Sequence, residues 1–540
     1  MRWATTHNVS RAVLVSLTIA LGLGCEREYI PVFLGGDAGR QASRTSGGVF
    51  RSPTAASAFS GFLIQGRTFT NGASVTTVTY LLDDLGNQDN VAAADVLYRT
   101  PLGIDFNADG KIDPVVGYGG NQAVIQILLS DPSSPAGEVD YISLTLDSKR
   151  DMQNLSDVAA GDIDRDGALD VVAAAGGAVW YYHHPTGAPT TAMYLWGNPD
   201  PTDELRERID ASYHSFTDAE LQALISQAIG PGVNLDDYVV TIEQRYTNVE
   251  IGDMDNDGDN DIVASRSFVL TLTPRPDVPV EPLQISDGDV LVFANPGFAA
   301  DGHNWSAISI GGHERQTRLD RDGASELLLY DLDADGDLDV ISAASKDNNV
   351  QVAWFENPVA NRVGAPGAGL SLDQRWTQWR IGSIRSAWGL DVGDLTGDGR
   401  ADVVATGKEQ MQMLLFEQPE TGPKRAYDWD TYVLYTFESF QPLDVKILDV
   451  DMDGDLEIVT GGTSGAVRYY EATADPREAW EMITVYNYAS ADDVGWLGFG
   501  DLDGDGDLDL VPVISSSKEN SCRVTWIRNE TITLQTSTGN

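Results

Sequence analysis

Apolar residues in this chain come in short runs separated by turns of Gly, Pro, Asn and Asp, and the runs follow one template. A first run leads into an acidic turn, as in Val158-Ala159-Ala160-Gly161 and Leu390-Asp391-Val392-Gly393. A second leaves it, as in Val171-Val172-Ala173-Ala174, Val340-Ile341-Ser342-Ala343 and Val403-Val404-Ala405. A third ends on aromatics: Trp180-Tyr181-Tyr182, Trp354-Phe355, Tyr469-Tyr470, Trp526. A turn follows, often with proline: His184-Pro185, Asn295-Pro296, Asn357-Pro358, Gln418-Pro419. A fourth run opens near a tryptophan, at Trp305, Trp376, Trp429 and Trp480. Runs this short, rich in β-branched and aromatic side chains and bounded by turn residues, predict strands. Four per repeat predict a propeller blade.

The acidic turns open at Asp105, Asp162, Asp253, Asp331, Asp394, Asp449 and Asp501, at spacings of 57, 91, 78, 63, 55 and 52 residues. The short spacings fit one four-stranded blade and the two long ones contain insertions. The first insertion, 198–233, is predicted helical. Thr217-Asp218-Ala219-Glu220 is a capping box, Leu221, Leu224, Ile225 and Ala228 share a face, and Gly230-Pro231-Gly232 stops the helix. The spacing leaves open whether it precedes or follows the fourth strand of its blade. The second, Leu270 to Pro282, carries four prolines and is predicted to be an extended loop. The fold expected is all-β: a seven-bladed propeller of four-stranded antiparallel blades over 59–536, with a small helical insertion. Strand signals at Phe62-Leu63-Ile64 and from Val75 to Leu82 precede the first full unit, and are expected to pair with a neighbouring blade or form a hairpin.

Residues 1–25 are expected to be an export signal: Arg2 and Arg11 supply charge, and Ala12 to Leu23 is apolar but too short to span a membrane. The run ends Leu21-Gly22-Leu23-Gly24-Cys25, which resembles the lipobox of bacterial lipoproteins, with Gly22 where that pattern has Leu. The resemblance implies lipidation of Cys25 and a protein held at the cell envelope; plain secretion and an uncleaved anchor are the alternatives. Residues 26–58, rich in Gly, Ser, Ala and Arg, are expected to be a flexible tether.

With 540 residues, length alone predicts three or four domains, but stacked repeats form one body. A hydrophobic content of 42% and 12 Trp suffice for its core. The net charge of −47 argues against nucleic acid as a partner and against attachment to anionic lipid. Of two cysteines, Cys25 lies in the signal, so Cys522 is expected to be a buried thiol and no intramolecular disulfide is expected.

The chemistry lies in the acidic turns. Asp501, Asp503, Asp505 and Asp509 occupy positions 1, 3, 5 and 9 of a loop with Gly506 at position 6. Carboxylates this close repel unless a hard cation sits between them, and Ca²⁺ accepts 6–8 oxygens in a flexible shell. The pattern recurs as Asp105, Asn107, Asp109, Asp113; as Asp162, Asp164, Asp166, Asp170; and as Asp253, Asp255, Asp257, Asp261. It recurs again as Asp331, Asp333, Asp335, Asp339; as Asp394, Thr396, Asp398, Asp402; and as Asp449, Asp451, Asp453, Glu457. Up to seven Ca²⁺ sites are expected, and filling them would bring the charge to about −33. Mg²⁺, which prefers a rigid octahedron, fits less well.

Over about residues 95–535 the pattern resembles the FG-GAP/VCBS repeat family, best known from the integrin α-chain propeller. The resemblance implies Ca²⁺ bound by the residues above, with the position 7 carbonyl, for example of Asp507 or Ala168, as a further ligand. Asn107 and Thr396 each remove a charge and Glu457 is longer than Asp, and the Asp394 loop is expected to bind more weakly.

No Gly-x-Ser-x-Gly, His-Glu-x-x-His or phosphate-cradling glycine loop is present. His183 and His184 end a strand; a metal or base role is the alternative to a solvated strand end. Trp388 and Trp496 begin first strands, at the channel mouth opposite the acidic loops, where they either stack on a ligand or fill the channel. Three arginines in His313 to Arg321 are open to an acidic ligand or balanced by Glu314 and Asp320. The function expected is a monomeric, non-catalytic cell-surface lipoprotein that binds protein or polysaccharide in adhesion. The alternatives are a polysaccharide-active enzyme and a structural scaffold of an envelope complex.

Overall fold

In the computed structural model the described residues run, with breaks, from Val78 to Asn529. Residues 1–77, 530–540 and internal stretches, chiefly 81–89, 93–104, 131–140, 185–205 and 360–375, lie outside them. The export signal, Cys25, the tether and Phe62-Leu63-Ile64 therefore fall outside the described residues.

The described strands form seven four-stranded antiparallel sheets, the blades of the propeller, and one two-stranded ribbon. Blade 5 shows the plan: Ala387–Gly393, Asp402–Gly407, Gln412–Glu417 and Asp430–Thr436 pair in order. Its second strand is buried throughout, because both faces of a blade meet neighbouring blades. That is why these runs are continuous in apolar residues rather than alternating.

The ring closes with strands from both ends of the described chain. The last blade takes Asp492–Gly500, Asp509–Ser516 and Ser521–Trp526 from the C-terminal end, and Val78–Tyr80 completes it by pairing with Ser521–Trp526. The strand expected near Val75 to Leu82 is thus the closing strand. Inside the ring, Gly500 of the last blade abuts the first blade: a Cβ there would lie 2.1 Å from Ile112 Cδ1.

Blade 3 departs from the plan. Its inner strand, Tyr238–Gly252, has 15 residues, and its second, Asp261–Pro274, has 14. Residues Leu270 to Pro274, expected in an extended loop, are strand instead. Phe268, Leu270 and Leu272 are buried on one face, while Val269, Thr271 and Thr273 face the other and are less buried. On that face sits the helix Asp218–Ala228, α1, whose Ile225 packs with Tyr238, Phe268, Leu270 and Leu272. The helix therefore lies on the blade end away from the Asp253 loop. It follows the fourth strand of blade 2, Arg206–Arg208, which falls inside the stretch expected to be insertion. Cys522 lies in a strand, and its side chain is outside the described residues.

Candidate metal centres

Each acidic turn joins the first and second strands of its blade, and the described residues of the seven are built the same way. Position 2 is an apolar anchor, buried in all seven: Phe106, Ile163, Met254, Leu332, Leu395, Val450 and Leu502. It sinks the loop's start into the blade while positions 4–6 stay exposed in the five fully described loops. Two left-handed residues turn the chain. One is the glycine at position 6, such as Gly258 at φ 89°. The other is position 4, where Arg165, Asn256, Ala334 and Met452 have φ between 56° and 61°. The bend aims successive N–H groups inward. In the Asp253 loop Asp257 N donates to Asp253 and Asp255, Gly258 N to Asp253, and Asp259 N to Asp257.

The acid at position 9 is a girder as well as a candidate ligand. Asp339 accepts from Leu332 N at 3.0 Å and from Asn357 N, beyond the third strand, at 2.8 Å. Asp113, Asp170, Asp261, Asp402 and Asp509 make the same pair of contacts, with the first donor at Thr396 in the Asp394 loop. Glu457 uses its extra methylene to reach Val450 N. All seven are buried. Burial pushes Asp113, Asp170 and Asp261 up to about 7 and Asp339 and Glu457 up to about 9, against the lowering effect of the N–H donors. Neighbouring loop carboxylates add to the rise. Asp255 and Asp451, pushed up to about 6, and Asp164, Asp253 and Asp335 are also raised by burial and by their acidic neighbours.

In four loops the acids converge. Asp162, Asp164 and Asp170; Asp253, Asp255 and Asp261; Asp331, Asp333 and Asp339; and Asp449, Asp451 and Asp453 each bring one oxygen within 4.8 Å of the others. Three groups contain a buried carboxylate oxygen with nothing on it: Asp162 Oδ1, Asp333 Oδ1 and Asp449 Oδ1. Such atoms are costly unless a cation meets them. An all-oxygen donor set of this kind fits a hard divalent cation. Asp394, Thr396, Asp398 and Asp402 are fully described and form no such group. Positions 4–7 of the Asp105 loop and 3–6 of the Asp501 loop lie outside the described residues, Asp109, Asp503 and Asp505 among them.

His183 lies beside the Asp162 group, its Nδ1 3.8 Å from Asp164 and its Nε2 3.8 Å from Glu207, with its ring 3.9 Å from that of Tyr181. His184 is buried, and its backbone N–H serves Asp170. Neither belongs to a converging group among the described residues. Trp388 and Trp496 are half-buried and flank β-bulges in the inner strands of blades 5 and 7. Lys408 Nζ stands 4.8 Å from the Trp388 ring, so one face of that indole already has a partner. His313–Glu314 pairs with Arg321–Asp322 as the ribbon, and 315–320 lie outside the described residues.

Two sets of residues escaped the sequence reading. The Asn or Gln after the third strand ties neighbouring loops together: Asn295 Nδ2 donates to Ile163 O, Asn357 Nδ2 to Met254 O, Gln418 Nε2 to Leu332 O and Asn529 Nδ2 to Val450 O. Each acceptor is position 2 of another blade's loop. Buried acids on the inner strands do a second job. Asp157, Asp391 and Asp444 accept from Val249 N, Ile447 N and Leu497 N of the next blade, at 2.7–2.9 Å. Their signal was an acid inside an otherwise apolar first strand.

Residues 331–405 and 449–511 match the family model for the FG-GAP-like repeat. The chain carries FG-GAP-like repeats on a β-propeller. A comparison with curated proteins finds no match. Solved structures similar to it include Chaetomium thermophilum Sqt1 bound to the N-terminus of ribosomal protein L10, at 11% identity and TM-score 0.38, covering 79% of this chain and 83% of that one. Another is the Dos1 propeller, at 9% identity and TM-score 0.35, covering 84% and 82%. A third is the PQQ-bound aldose sugar dehydrogenase of Streptomyces coelicolor, at 10% identity and TM-score 0.31, covering 67% and 91%.

Proposed function

We propose that this protein is an exported, Ca²⁺-stabilised binding module, held at the cell envelope through Cys25, that presents its propeller to protein or polysaccharide ligands without catalysis. The observation that carries the metal reading is the set of unpartnered, buried carboxylate oxygens at Asp162, Asp333 and Asp449, each within a converging group of acids. Ca²⁺ is the ion that suits the setting. Extracellular modules bind it at about 10⁻⁴–10⁻³ M, a range met outside the cell. Each ion would neutralise three or four acids and join the two strands its loop connects, so its role is structural. Export rests on the apolar run before Cys25. Among the described residues no helix is long and apolar enough to cross a membrane.

Three experiments test this. The full-length protein, stripped with chelator, should melt higher when millimolar Ca²⁺ is restored, and an unchanged melting temperature defeats the metal reading. Glycan arrays and pull-downs with the purified protein separate the binding module from an enzyme: a ligand retained unaltered supports the proposal, and turnover overturns it. Palmitate labelling of the wild type, lost in Cys25→Ser, tests the anchor.

A further inference from the structure

We infer that the Asp394 loop is not a metal site: Arg400 serves as its built-in cation, and blade 5 keeps its acidic turn folded without an ion. The inference deepens the Ca²⁺ reading of the other loops and rests on it.

The contrast is one of satisfied against unsatisfied oxygens. In the Asp394 loop all six carboxylate oxygens have partners. Asp394 Oδ1 accepts from Asp398 N at 3.0 Å and its Oδ2 from Gly399 N at 2.8 Å. Asp398 Oδ1 accepts from Arg400 N at 3.0 Å, and its Oδ2 takes the Arg400 guanidinium. Asp402 Oδ1 accepts from Gln418 N at 2.9 Å and its Oδ2 from Thr396 N at 3.1 Å. The Asp162, Asp331 and Asp449 loops each retain a buried carboxylate oxygen with nothing on it.

Arg400 is held for the task. Its Nε donates to Gln418 O at 3.1 Å, while Gln418 Nε2 donates to Leu332 O of another blade's loop. The guanidinium is thus fixed between the turn and the inter-blade tie. Arg400 stands at position 7, where the Asp162, Asp253, Asp331 and Asp449 loops have Ala168, Asp259, Asp337 and Asp455. Thr396 removes a further charge at position 3. The loop's formal charge with Arg400 is therefore −2, from three acids and one base, whereas the Asp162 loop with Arg165 carries −3 and the Asp253, Asp331 and Asp449 loops carry −5 each. A basic side chain also reaches the Asp331 loop, but there Lys424 Nζ takes only Oδ2 of Asp333, at 2.6 Å, and leaves Oδ1 bare. At the Asp394 loop every carboxylate oxygen is met, and the one bare oxygen at a ligand position is the neutral hydroxyl of Thr396.

The test counts ions. Full-length protein is stripped with chelator, given Ca²⁺ alone and examined by native mass spectrometry. Asp162→Asn should bind one ion fewer than wild type, and Asp394→Asn the same number as wild type. Loss of one ion in Asp394→Asn overturns the inference. If wild type binds no ion, the Ca²⁺ reading of the other loops fails and the contrast argued here falls with it. Melting curves guard against a variant that misfolds. Arg400→Gln should melt lower than wild type in chelator, and Ca²⁺ should leave that gap open. Closure of the gap by Ca²⁺ overturns the inference. The double variant Thr396→Asp/Arg400→Ala restores the four-acid pattern and should bind one ion more than wild type; no gain counts against the assignment.

Discussion

The position 9 acid and the position 5 acid of one loop should differ in what their removal costs when metal is absent. Asp339 has no exposed surface and accepts two backbone hydrogen bonds, from Leu332 N and Asn357 N. Asp339→Ala strands both N–H groups in a dry site. Each unsatisfied donor costs about 1–3 kcal/mol, so the variant should lose about 2–6 kcal/mol even without metal. Asp335 is at the exposed tip, and Asp333 and Asp331 repel its charge. With chelator present Asp335→Ala should therefore change stability by less than about 1 kcal/mol, in either direction. With Ca²⁺ at one hundred times Kd, it should lose the site's contribution of about 2.7 kcal/mol.

Thermal melts of both variants in EDTA and in Ca²⁺ give four numbers. Unfolding entropy of about 2.1 cal/mol/K per residue makes about 1 kcal/mol/K for a body of roughly 450 residues, so each kcal/mol moves Tm by about 1 °C. Asp339→Ala should fall by about 2–6 °C in EDTA and further in Ca²⁺, Asp335→Ala only in Ca²⁺. If Asp339→Ala costs under about 1 °C in EDTA, the position 9 acid is not a girder and its buried hydrogen bonds have been overvalued.

Three further outcomes are expected. Asp113, Asp170, Asp261, Asp339 and Glu457 have folded-state pKa values of about 7–9 without metal and Asp402 of about 6, above the 3.8–4.5 of ordinary carboxyls, so the folded state holds more protons than the unfolded across that window. Stability in EDTA should then fall as pH rises from about 5 to 9, and Ca²⁺, by replacing the protons, should bind more tightly at pH 8 than at pH 5.5 and release protons measurable by calorimetry in two buffers. Asn357→Leu removes the donors to Met254 O and Leu338 O from a fully buried site and should cost about 2–5 kcal/mol, with faster hydrogen exchange in the Asp253 loop. Thr79→Pro puts a proline opposite Thr525 in the closing strand and should weaken its pairing with Ser521–Trp526, read as a lower Tm and, with that edge bared, as concentration-dependent aggregation.

What the sequence could reveal was whatever repeats within one blade. Local period and turn chemistry sufficed to find Val340 to Ala343, Trp354-Phe355 and the strand after Trp376, because a strand buried on both faces must be apolar along its length. The glycine at position 6 showed in the sequence because only that backbone tolerates the bend. Contacts between blades are of another kind. Asn357 reads as the start of an Asn-Pro turn, and it is one; nothing local says that its amide also grips Met254 O, 103 residues away. Asp444 looks like an error in an apolar strand until Leu497 N is seen to donate to it from the next blade. Arg400 was visible only as one more charged residue beside a weak metal motif, because ligand spacing counts acids and is blind to where a guanidinium folds back. The Pro-rich stretch misled for a related reason. Proline argues against strand only where an N–H is required, and Leu270 and Leu272 were already committed by the apolar face that Ile225 covers. A repeat therefore declares its own fold, while the partners that join it to the next repeat lie at separations no local pattern encodes. The acids at position 9 belong to both classes at once. Their place in the motif marked them as ligands, and only the assembled blade shows that they hold the turn to the third strand as well.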